Sequence, residues 1–322
     1  MTIAPDKTYD AVVIGGGPAG LQAALTLGRM RRDVVAFDSS EYRNASARHM
    51  HNAVTNDGTS PEDFRTAARA ELAAYDTVET CEAKVTEVVP EGDLWSVRVD
   101  AAPGGGSLRV RAKNVVLATG LRDTLPDTPG LADLWGDVVA QCPYCHGYEL
   151  KGRHVAILGS GPHAGRVSML LARIADRITV LADGEDLEGE TRELLARNGV
   201  DVREEPVTGV HRHGEGAVVS FADGPDEEIG GMFVTTSSFA QAAPFAEQLG
   251  LAMLPSGCIR TDELGRTSRD GIYAAGDLAH LASLPMPLAS VVTATSAGLL
   301  AATAVDQDLV DAAIADPAPA MA

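Results

Sequence analysis

Two cysteines three positions apart are the residues of this sequence best suited to redox chemistry. They stand in the segment Cys142-Pro-Tyr-Cys145-His146, whereas Cys81 and Cys258 have no paired spacing and are interpreted as buried apolar residues. A Cys-x-x-Cys pair is typical of a thiol–disulfide centre or of half a metal site. A zinc site would need two further ligands at a suitable spacing, so we predict a redox pair and no metal, with an inert reduced pair as the alternative.

A histidine, His146, follows the second cysteine directly. A Cys-x-x-Cys pair at the start of a helix lowers the pKa of one thiol, so that a thiolate is available near neutral pH. An imidazole titrates close to neutrality and suits taking the proton from an incoming thiol. The sequence therefore predicts His146 as a general base, and a merely structural histidine is the alternative.

A glycine-rich turn at 15–20 predicts a dinucleotide site. The apolar run 9–14 precedes it, helical spacing over 21–30 follows it, and 34–37 is a second short strand that ends at Asp38. In a G-x-G-x-x-G turn the glycines let the backbone approach a pyrophosphate, and the helix N-terminus supplies N–H groups to it. A carboxylate about 20 residues further on accepts hydrogen bonds from ribose hydroxyls. The turn alone does not choose between NAD and FAD, and a turn without a ligand is the alternative.

The same pattern recurs later in the chain, with a strand at 154–158, a glycine turn at 159–164, a helix at 165–175 and a strand at 177–181. Two such units predict an α/β protein with two Rossmann-like folds. The other predicted elements are strands at 81–90, 94–99, 114–118, 201–204, 216–221, 231–236 and 268–275, a hairpin turn at 104–106, a closing helix at 290–305 and a disordered tail from 315.

The length and charge of the chain limit the classes of protein to which it can belong. The chain has 322 residues, which suggests two domains of roughly 100–200 residues each. It carries 26 Lys+Arg against 45 Asp+Glu, a net charge of −19, and a surface this acidic repels nucleic acid and anionic lipid. No apolar run reaches the ~18 residues of a membrane span, and no signal-peptide pattern stands at the N-terminus, so we expect a cytoplasmic protein.

Five short motifs in a fixed order carry a resemblance to a known family. They are GGGPAG at 15–20, ATG at 118–120, CPYCHG at 142–147, GSGPHA at 159–164 and GD at 276–277. In this order they resemble the motifs of low-molecular-weight thioredoxin-reductase-type flavoproteins. The resemblance implies two Rossmann-like, three-layer ββα domains in a homodimer. The FAD domain is split over 1–120 and 245–322, and an inserted NAD(P)-binding-like domain at 121–244 carries the cysteine pair.

The segment CPYCHGYE at 142–149, with Arg43-Asn44 and His49-Met50-His51-Asn52 upstream, is similar to a particular branch of that family. This branch consists of FAD-dependent dithiol oxidases, which close the disulfides of gliotoxin- and holomycin-type natural products and pass the electrons to O2. For His49 and His51 the residues alone leave a solvated-loop role open.

The resemblance also implies roles for single residues. Cys142 forms the mixed disulfide with substrate, Cys145 faces the flavin, and His146 replaces the acid usual at its position. The implied cofactor contacts are Gly15, Gly17, Pro18, Ala19, Gly20, Asp38, Arg43, His51, Asn52, Ala118, Thr119, Gly120, Gly276, Asp277, Ser290 and Val291.

The densest negative charge lies at the second glycine unit. Residues 181–228 hold 14 Asp/Glu against 4 Arg and no Lys, a net of −10. An NADPH site of the resembled family carries several arginines after this strand, because guanidinium groups bind the 2′-phosphate bidentately. This chain has Ala-Asp-Gly-Glu-Asp-Leu-Glu at 182–188 instead, so we predict that NADPH does not bind, while NADH is still compatible. Phosphate ligands elsewhere, namely Arg166, Arg173 or Arg177, are the alternative.

Together these features predict an FAD-dependent dithiol oxidase. A small-molecule dithiol reduces the Cys142–Cys145 disulfide, the pair reduces FAD, and O2 reoxidises FADH2 to give hydrogen peroxide. Two alternatives stay open, an NAD(P)H-dependent thioredoxin or disulfide reductase and a non-enzymatic flavin-binding redox sensor. The predicted partners are the small dithiol and O2, with neither nucleic acid nor membrane.

Overall fold

The computed structural model describes residues 7–100 and 107–315 of the chain. The strands in these residues are β1 (Thr8–Ile14), β2 (Val34–Asp38), β3 (Val78–Glu82), β4 (Lys84–Glu91), β5 (Leu94–Asp100), β6 (Ser107–Leu117), β7 (Leu121–Thr124), β8 (Val139–Ala140), β9 (His154–Leu158), β10 (Arg177–Leu181), β11 (Asp201–Arg203), β12 (Val207–His213), β13 (Gly216–Phe221), β14 (Glu227–Ile229), β15 (Gly231–Val234), β16 (Ser238–Gln241), β17 (Ile259–Thr261), β18 (Ile272–Ala274) and β19 (Ala279–Leu281). The α-helices are α1 (Pro18–Arg29), α2 (Pro61–Leu72), α3 (Pro143–His146), α4 (Pro162–Leu171), α5 (Gly189–Arg197), α6 (Phe245–Gln248) and α7 (Val291–Ala315). None of the helices in this part of the chain combines the length and the apolar character needed to cross a bilayer.

The chain folds into two compact units, each made of separate stretches of sequence. Unit 1 is built from Met1–Arg43, Glu62–Arg122 and Ala240–Ala322, and unit 2 from Asn44–Pro61 and Asp123–Phe239. Each unit contains one of the two glycine turns, and unit 2 also contains the cysteine pair.

Residues 44–61 belong to unit 2, whereas the sequence predicted them as part of the first domain, 1–120. Two contacts explain this placement. Nη2 of Arg48 is 3.2 Å from Oδ2 of Asp137, and a Cβ atom added at Gly136 would lie 2.4 Å from Oγ of Ser46. Such tertiary contacts, which depend on residues about 90 positions away, leave no local signal in the sequence.

Unit 1 is organised around one sheet with the strand order β3-β2-β1-β6-β5-β4, and β18 also pairs with β6. β1 lies in parallel register between β2 and β6, and β18 pairs in parallel with the carboxyl-terminal residues of β6. Ala11, Val12 and Val13 are fully buried in β1, as expected for a parallel strand covered on both faces. Because these strands run the same way, their carboxyl ends meet at one edge of the sheet, where ligands of such folds bind.

Two helices of unit 1 approach closely because small residues lie between them. A Cβ atom added at Gly298 of α7 would lie 2.1 Å from the carbonyl oxygen of Ala19 in α1. Ala23, Ala301 and Ala302 are fully buried in the same core. This packing fixes α1, whose N-terminus follows the first glycine turn.

Unit 2 repeats the arrangement with fewer strands. Its parallel sheet has the order β11-β10-β9-β15-β8, and β12, β13 and β14 form an antiparallel sheet that shares a core with it. Val210 and Val219 of the antiparallel sheet are buried together with Leu158 and Leu181 at the ends of β9 and β10. The predicted α/β class with two Rossmann-like folds is confirmed.

Several helices and strands begin or end at residues other than those predicted from the sequence. The strand predicted at 81–90 is two strands, β3 and β4, because the chain turns at Ala83, whose N–H donates to the carbonyl of Asp38. The strand predicted at 268–275 shortens to β18, α7 continues to Ala315, and α2 was not predicted. The hairpin turn at 104–106 and the tail beyond 315 lie outside the described residues.

Candidate active site

The cysteine pair lies at the start of a short helix in unit 2. Cys142 precedes α3 and Cys145 lies within it, with Pro143 in its first turn. The two sulfur atoms form a disulfide, and the Cα atoms are 5.3 Å apart. Both residues are partly exposed, and exchange with an external thiol requires access to one of the two sulfur atoms. The predicted redox pair therefore stands in the form that accepts electrons.

His146 ends the same helix, and both nitrogens of its ring are buried without a hydrogen-bond partner among the described residues. Burial lowers the pKa of His146 below the ordinary value of 6.5, and nearby Glu149 partly offsets this effect. The imidazole is therefore neutral at pH 7 and offers a lone pair to a proton. A buried polar group without a hydrogen-bond partner lowers the stability of a protein by about 1–3 kcal/mol. Such groups occur at catalytic positions.

His51 and Asn52, predicted as cofactor contacts, lie in unit 2 with the cysteine pair. Nδ1 of His51 is 3.6 Å from Oδ1 of Asp57, and its Nε2 is 3.5 Å from Oε1 of Glu149, three residues beyond His146. Asn52 has a left-handed φ of 60°, and its N–H donates to Asp57 at 2.7 Å. The structure thus groups His51 with the redox segment, and its contact with a cofactor stays a prediction.

The first glycine turn, between β1 and α1, leaves room beside its backbone. A Cβ atom at Gly15 would lie 2.2 Å from the carbonyl oxygen of Ala118, and one at Gly20 would lie 1.8 Å from that of Gly15, so the fold itself requires these glycines. At Gly17 no atom of the described residues lies within 4 Å of the same position. The space beside Gly17 is therefore open to a ligand.

The start of α1 fits an anion. Gly17 is the N-cap residue, no side chain caps the helix, Pro18 follows, and the first turn holds no acidic residue. The N–H groups at this end and the helix dipole therefore favour a negatively charged group. FAD carries a pyrophosphate, and the residues of this turn fit it.

Other predicted cofactor residues meet at the same edge of the unit 1 sheet. Residues 118–120 follow β6, and Gly276 and Asp277 follow β18, which pairs with β6. Nη1 of Arg43 is 2.8 Å from Oδ2 of Asp277. A Cβ atom at Gly276 would lie 3.0 Å from that of Ala19 in α1. The structure thus brings these residues together around the first glycine turn.

Ser290 and Val291 stand at the start of α7. The N–H of Thr293 donates to Oγ of Ser290 at 3.1 Å, and the N–H of Ser290 donates to Oγ1 of Thr293 at 3.1 Å. This reciprocal pair caps the helix. A cavity of about 190 Å³ in unit 1 is lined by residues of α7 and by Gly276 and Asp277. Capping accounts for the Ser290 side chain, and its cofactor contact stays a prediction.

The second glycine turn repeats the shape of the first. Gly161 is the N-cap residue of α4, and no described atom lies within 4 Å of its Cβ position. The difference lies at the end of β10, where Asp183 adopts a φ of 55°. Its Oδ1 accepts the N–H of Val207 at 2.7 Å. One oxygen of this carboxylate, two residues beyond β10, is therefore bonded within the fold.

The arginines considered as phosphate ligands lie mostly far from this turn. Arg177 opens β10, at the opposite end of the strand, and its guanidinium is 2.9 Å from Asp201 and 3.2 Å from Glu227. Arg173 follows the carboxyl end of α4, about 15 Å along a ten-residue helix from the turn. These positions exclude Arg177 and Arg173, which leaves Arg166, exposed on α4, as the candidate.

A group of side chains beside Asp38 was not predicted from the sequence. Oδ2 of Asp38 accepts hydrogen bonds from the hydroxyl of Tyr42 and from the guanidinium of Arg69. Arg65 lies over the ring of Tyr42. Arg65 and Arg69 belong to α2, which the pattern did not predict because its buried face carries the charge of Arg65. The signals that could have predicted α2 are Pro61 with the acids Glu62 and Asp63 at its start.

Comparison with known proteins gives matches along almost the whole chain. The model of the pyridine nucleotide-disulphide oxidoreductase family matches residues 9–306. The chain is 34% identical over 319 residues to thioredoxin reductase sirT of Leptosphaeria maculans, covering 92% of this chain and 93% of that protein. Among solved structures it is similar to an oxidoreductase from Agrobacterium tumefaciens, with 32% identity, 95% and 99% coverage and a TM-score of 0.84. It is also similar to HlmI, with 34% identity, 98% and 96% coverage and a TM-score of 0.84.

Proposed function

Because the chain belongs to the pyridine nucleotide-disulphide oxidoreductase family, we propose that it is an FAD-dependent dithiol oxidase. Oxidoreduction at sulfur and FAD as the cofactor follow from the family. The proposal concerns the direction of electron flow. A small-molecule dithiol, of the kind found in disulfide-bearing natural products, is the electron donor, and O2 is the acceptor and becomes hydrogen peroxide.

One observation carries this proposal, the state of the loop after β10. Its first carboxylate, that of Asp183, is bound to Val207, and three more acids follow within 184–188. Of the next three arginines along the chain, Arg192 and Arg203 are paired with glutamates at 2.6 Å and 3.0 Å, and Arg197 donates to the carbonyl of Glu193 at 3.3 Å. A phosphate dianion finds no available partner in this loop and is repelled by its carboxylates. NADPH is therefore disfavoured as the electron donor, which leaves a thiol substrate in that role.

The cysteine pair carries out the sulfur chemistry. A substrate thiolate attacks the Cys142–Cys145 bond, which breaks, so that Cys142 forms a mixed disulfide and Cys145 leaves as a thiolate. The second substrate thiolate attacks the substrate sulfur of that mixed disulfide, the substrate leaves as a disulfide, and Cys142 is released. The dithiol has then lost two electrons and two protons, and the pair has gained the two electrons.

His146 supports this exchange as a proton acceptor. Its neutral ring takes the proton from the incoming thiol, because only the thiolate is nucleophilic. When bound, FAD supplies a two-electron acceptor that O2 can reoxidise, so that the cysteine pair returns to the disulfide.

A second candidate is an NAD(P)H-dependent disulfide reductase. The observation in its favour is the intact second glycine turn, with open space beside Gly161. The Leptosphaeria relative, which is named a thioredoxin reductase, agrees with it.

An anaerobic reduction experiment separates the two candidates. The holoprotein is mixed without O2 with NADPH, NADH or dithiothreitol, and the flavin absorbance is followed in the wild type and in Cys142→Ser. We expect dithiothreitol to bleach the flavin of the wild type but not of the variant, and NADPH to leave both oxidised. In air, the dithiol should give equimolar hydrogen peroxide. Rapid bleaching by NADPH in both proteins would instead establish the reductase.

A further inference from the structure

We propose that Glu149, held by His51, is a positioning residue for the proton transfer to His146, because its carboxylate supplies the counter-charge to the imidazolium that forms there. His51 and Glu149 are called the charge pair below. Both belong to unit 2, which also contains the cysteine pair. This role rests on the proposed function, in which His146 accepts the proton of the incoming thiol.

Glu149 lies one helical turn beyond His146. The N–H of Gly147 donates to the carbonyl of Pro143 at 2.8 Å, and the N–H of Leu150 donates to that of Gly147 at 3.1 Å. Gly147 itself has a helical φ of −77° and ψ of −39°, so the chain continues in helical turns from α3 to residue 150. Residues three positions apart on such turns are neighbours. The carboxylate of Glu149 is therefore placed on the side of the segment that carries the imidazole.

His51 holds this carboxylate beside the redox segment. Its Nε2 is 3.5 Å from Oε1 of Glu149, and its Nδ1 is 3.6 Å from Oδ1 of Asp57. The side chain of His51 is 22% exposed, against 42% for Glu149 and 69% for Asp57. The N–H of Asn52 donates to Asp57 at 2.7 Å and fixes the loop that carries the ring. The ring of His51 thus lies between two more exposed carboxylates and keeps Glu149 from turning into the solvent.

An imidazolium at position 146 depends on a nearby counter-charge. Both ring nitrogens of His146 are buried without a hydrogen-bond partner among the described residues. Burial lowers the pKa of His146, the carboxylate of Glu149 is the strongest opposing influence, and His51 adds to the lowering. When the S–H bond of the thiol breaks, the proton binds a ring nitrogen and the electron pair stays on sulfur. The positive charge then attracts Glu149 and is stabilised by it until the proton passes to solvent.

The other charged groups around this segment are paired or exposed. Asp137, which opposes the lowering of the imidazole pKa less than Glu149 does, is itself paired with two arginines, Arg48 at 3.2 Å and Arg212. Helix α4 packs against α3, and its charged residues, His163 and Arg166, are exposed to solvent. The charge at the imidazole therefore depends mainly on the charge pair.

The test measures the pKa of His146 in the oxidised holoprotein by NMR, from the pH dependence of its ring Cε1–H resonance, which His146→Gln assigns. We expect Glu149→Gln to lower this pKa by about 0.5–1 pH unit, because an opposite charge is lost. Glu149→Asp keeps the charge, so its pKa should lie closer to that of the wild type. The matched control is Glu193→Gln, a change at an exposed glutamate of α5, which should leave the pKa unchanged.

A double variant tests the holding role of His51. In His51→Gln the carboxylate of Glu149 is no longer held, so adding Glu149→Gln should lower the pKa of His146 by less than half as much as in the wild type. An undiminished effect in this background would overturn the role of His51.

The sign of the change in Glu149→Gln identifies its cause. A merely loosened helix would admit water to the imidazole and raise its pKa towards 6.5, whereas loss of the carboxylate lowers it. An unchanged or raised pKa in Glu149→Gln would therefore overturn the charge pair.

The rate of dithiol oxidation tests the proposed function separately. If His146 is the base, the acid limb of kcat against pH should move down together with the pKa measured by NMR. The plateau should also fall about threefold in Glu149→Gln, because a weaker base accepts the proton more slowly. A lowered pKa with an unmoved rate profile would support the charge pair and show that His146 is not the base.

Discussion

The carboxylate of Asp183 accepts a hydrogen bond from the backbone N–H of Val207 at 2.7 Å. Asp183 lies two residues beyond β10, the second strand of its βαβ unit. Counted from the first glycine of each turn, the residue of unit 2 that corresponds to Asp38 is Ala182. A dinucleotide fold holds a ribose with a carboxylate at this position, and Ala182 has none. The two units share a glycine turn but differ at this residue, and the difference underlies the expectation that only the first binds a dinucleotide.

The role of Asp183 within the fold can be measured directly. Asp183→Ala removes the acceptor for Val207 and places alanine at a φ of 55°, so the free energy of unfolding should fall by about 1–3 kcal/mol. Asp183→Asn keeps an acceptor and tolerates this conformation, and should stay within about 0.5 kcal/mol of the wild type. Urea unfolding of the holoprotein measures both, and an alanine variant as stable as the wild type would contradict the assignment.

The sequence was sufficient for the parts of the fold whose signals are contiguous. Each βαβ unit places its strand, glycine turn and helix within about 30 residues, so periodicity and motif agree. The carboxyl edge of unit 1 was also predictable, because residues 118–120 and 276–277 directly follow apolar strands that end at that edge.

The parts that the sequence did not predict depend on contacts between distant residues. The partner of Asp183 lies 24 positions away, and nothing local indicates it. Helix α2 was missed because Arg65 stands on its buried face, where a periodic pattern requires an apolar residue. The ring of Tyr42 lies against the buried guanidinium of Arg65, a contact visible only in three dimensions.

The cysteine pair should be necessary for turnover but not for cofactor retention. Cys142→Ser and Cys145→Ser each leave one thiol, so no disulfide can form and oxidation of a dithiol should stop. The amount of FAD bound should be unchanged, because the residues of the first glycine turn, which fit FAD, lie in unit 1. Cys81→Ser, which alters a free cysteine, is the control and should keep full activity. Oxygen consumption with dithiothreitol checks this, and full activity in both pair variants would exclude the mechanism.

The pH dependence of dithiol oxidation should follow His146. Burial lowers its pKa, so the neutral form of the ring predominates at pH 6.5, and the rate should fall as the pH drops through a value below 6.5. His146→Gln should lower kcat by about 10²–10⁴-fold at pH 7. His213→Gln, a change at an exposed histidine of unit 2, should have no effect. Profiles of kcat against pH test this, and similar losses in the two variants would show that His146 is no base.

Stability should also depend on pH through His146. The unfolded histidine titrates near 6.5 and the folded one lower, so as the pH falls below 6.5 the unfolded state takes up the proton first. Stability is therefore lost between pH 6.5 and the folded pKa, and is fully present above 6.5. In His146→Gln this loss should disappear. Urea unfolding at pH 5.0, 6.0 and 7.5 measures it, and an identical pH dependence in the two proteins would refute the burial of a neutral ring.

Gly17 and Gly161 are equivalent positions in the two units. Each is the N-cap residue of the helix after its turn, with a φ of −78° and −83°. At neither position does an atom of the described residues lie within 4 Å of an added Cβ. Alanine therefore fits the protein at both, and any loss that it causes arises from a ligand.

Gly17→Ala and Gly161→Ala therefore show whether a ligand binds at each of the two glycine turns. In Gly17→Ala the methyl group occupies the space through which a pyrophosphate approaches the backbone, so FAD affinity should fall at least about tenfold. Thermal unfolding of the apoprotein should not change. In Gly161→Ala both the FAD content and the rate of dithiol oxidation should equal those of the wild type, because no electron-donating nucleotide enters unit 2. Flavin fluorescence and peroxide production measure these quantities. If Gly161→Ala lowered the turnover severalfold with its FAD intact, the second turn would bind a nucleotide that the reaction needs, and the proposed path of electrons would be wrong.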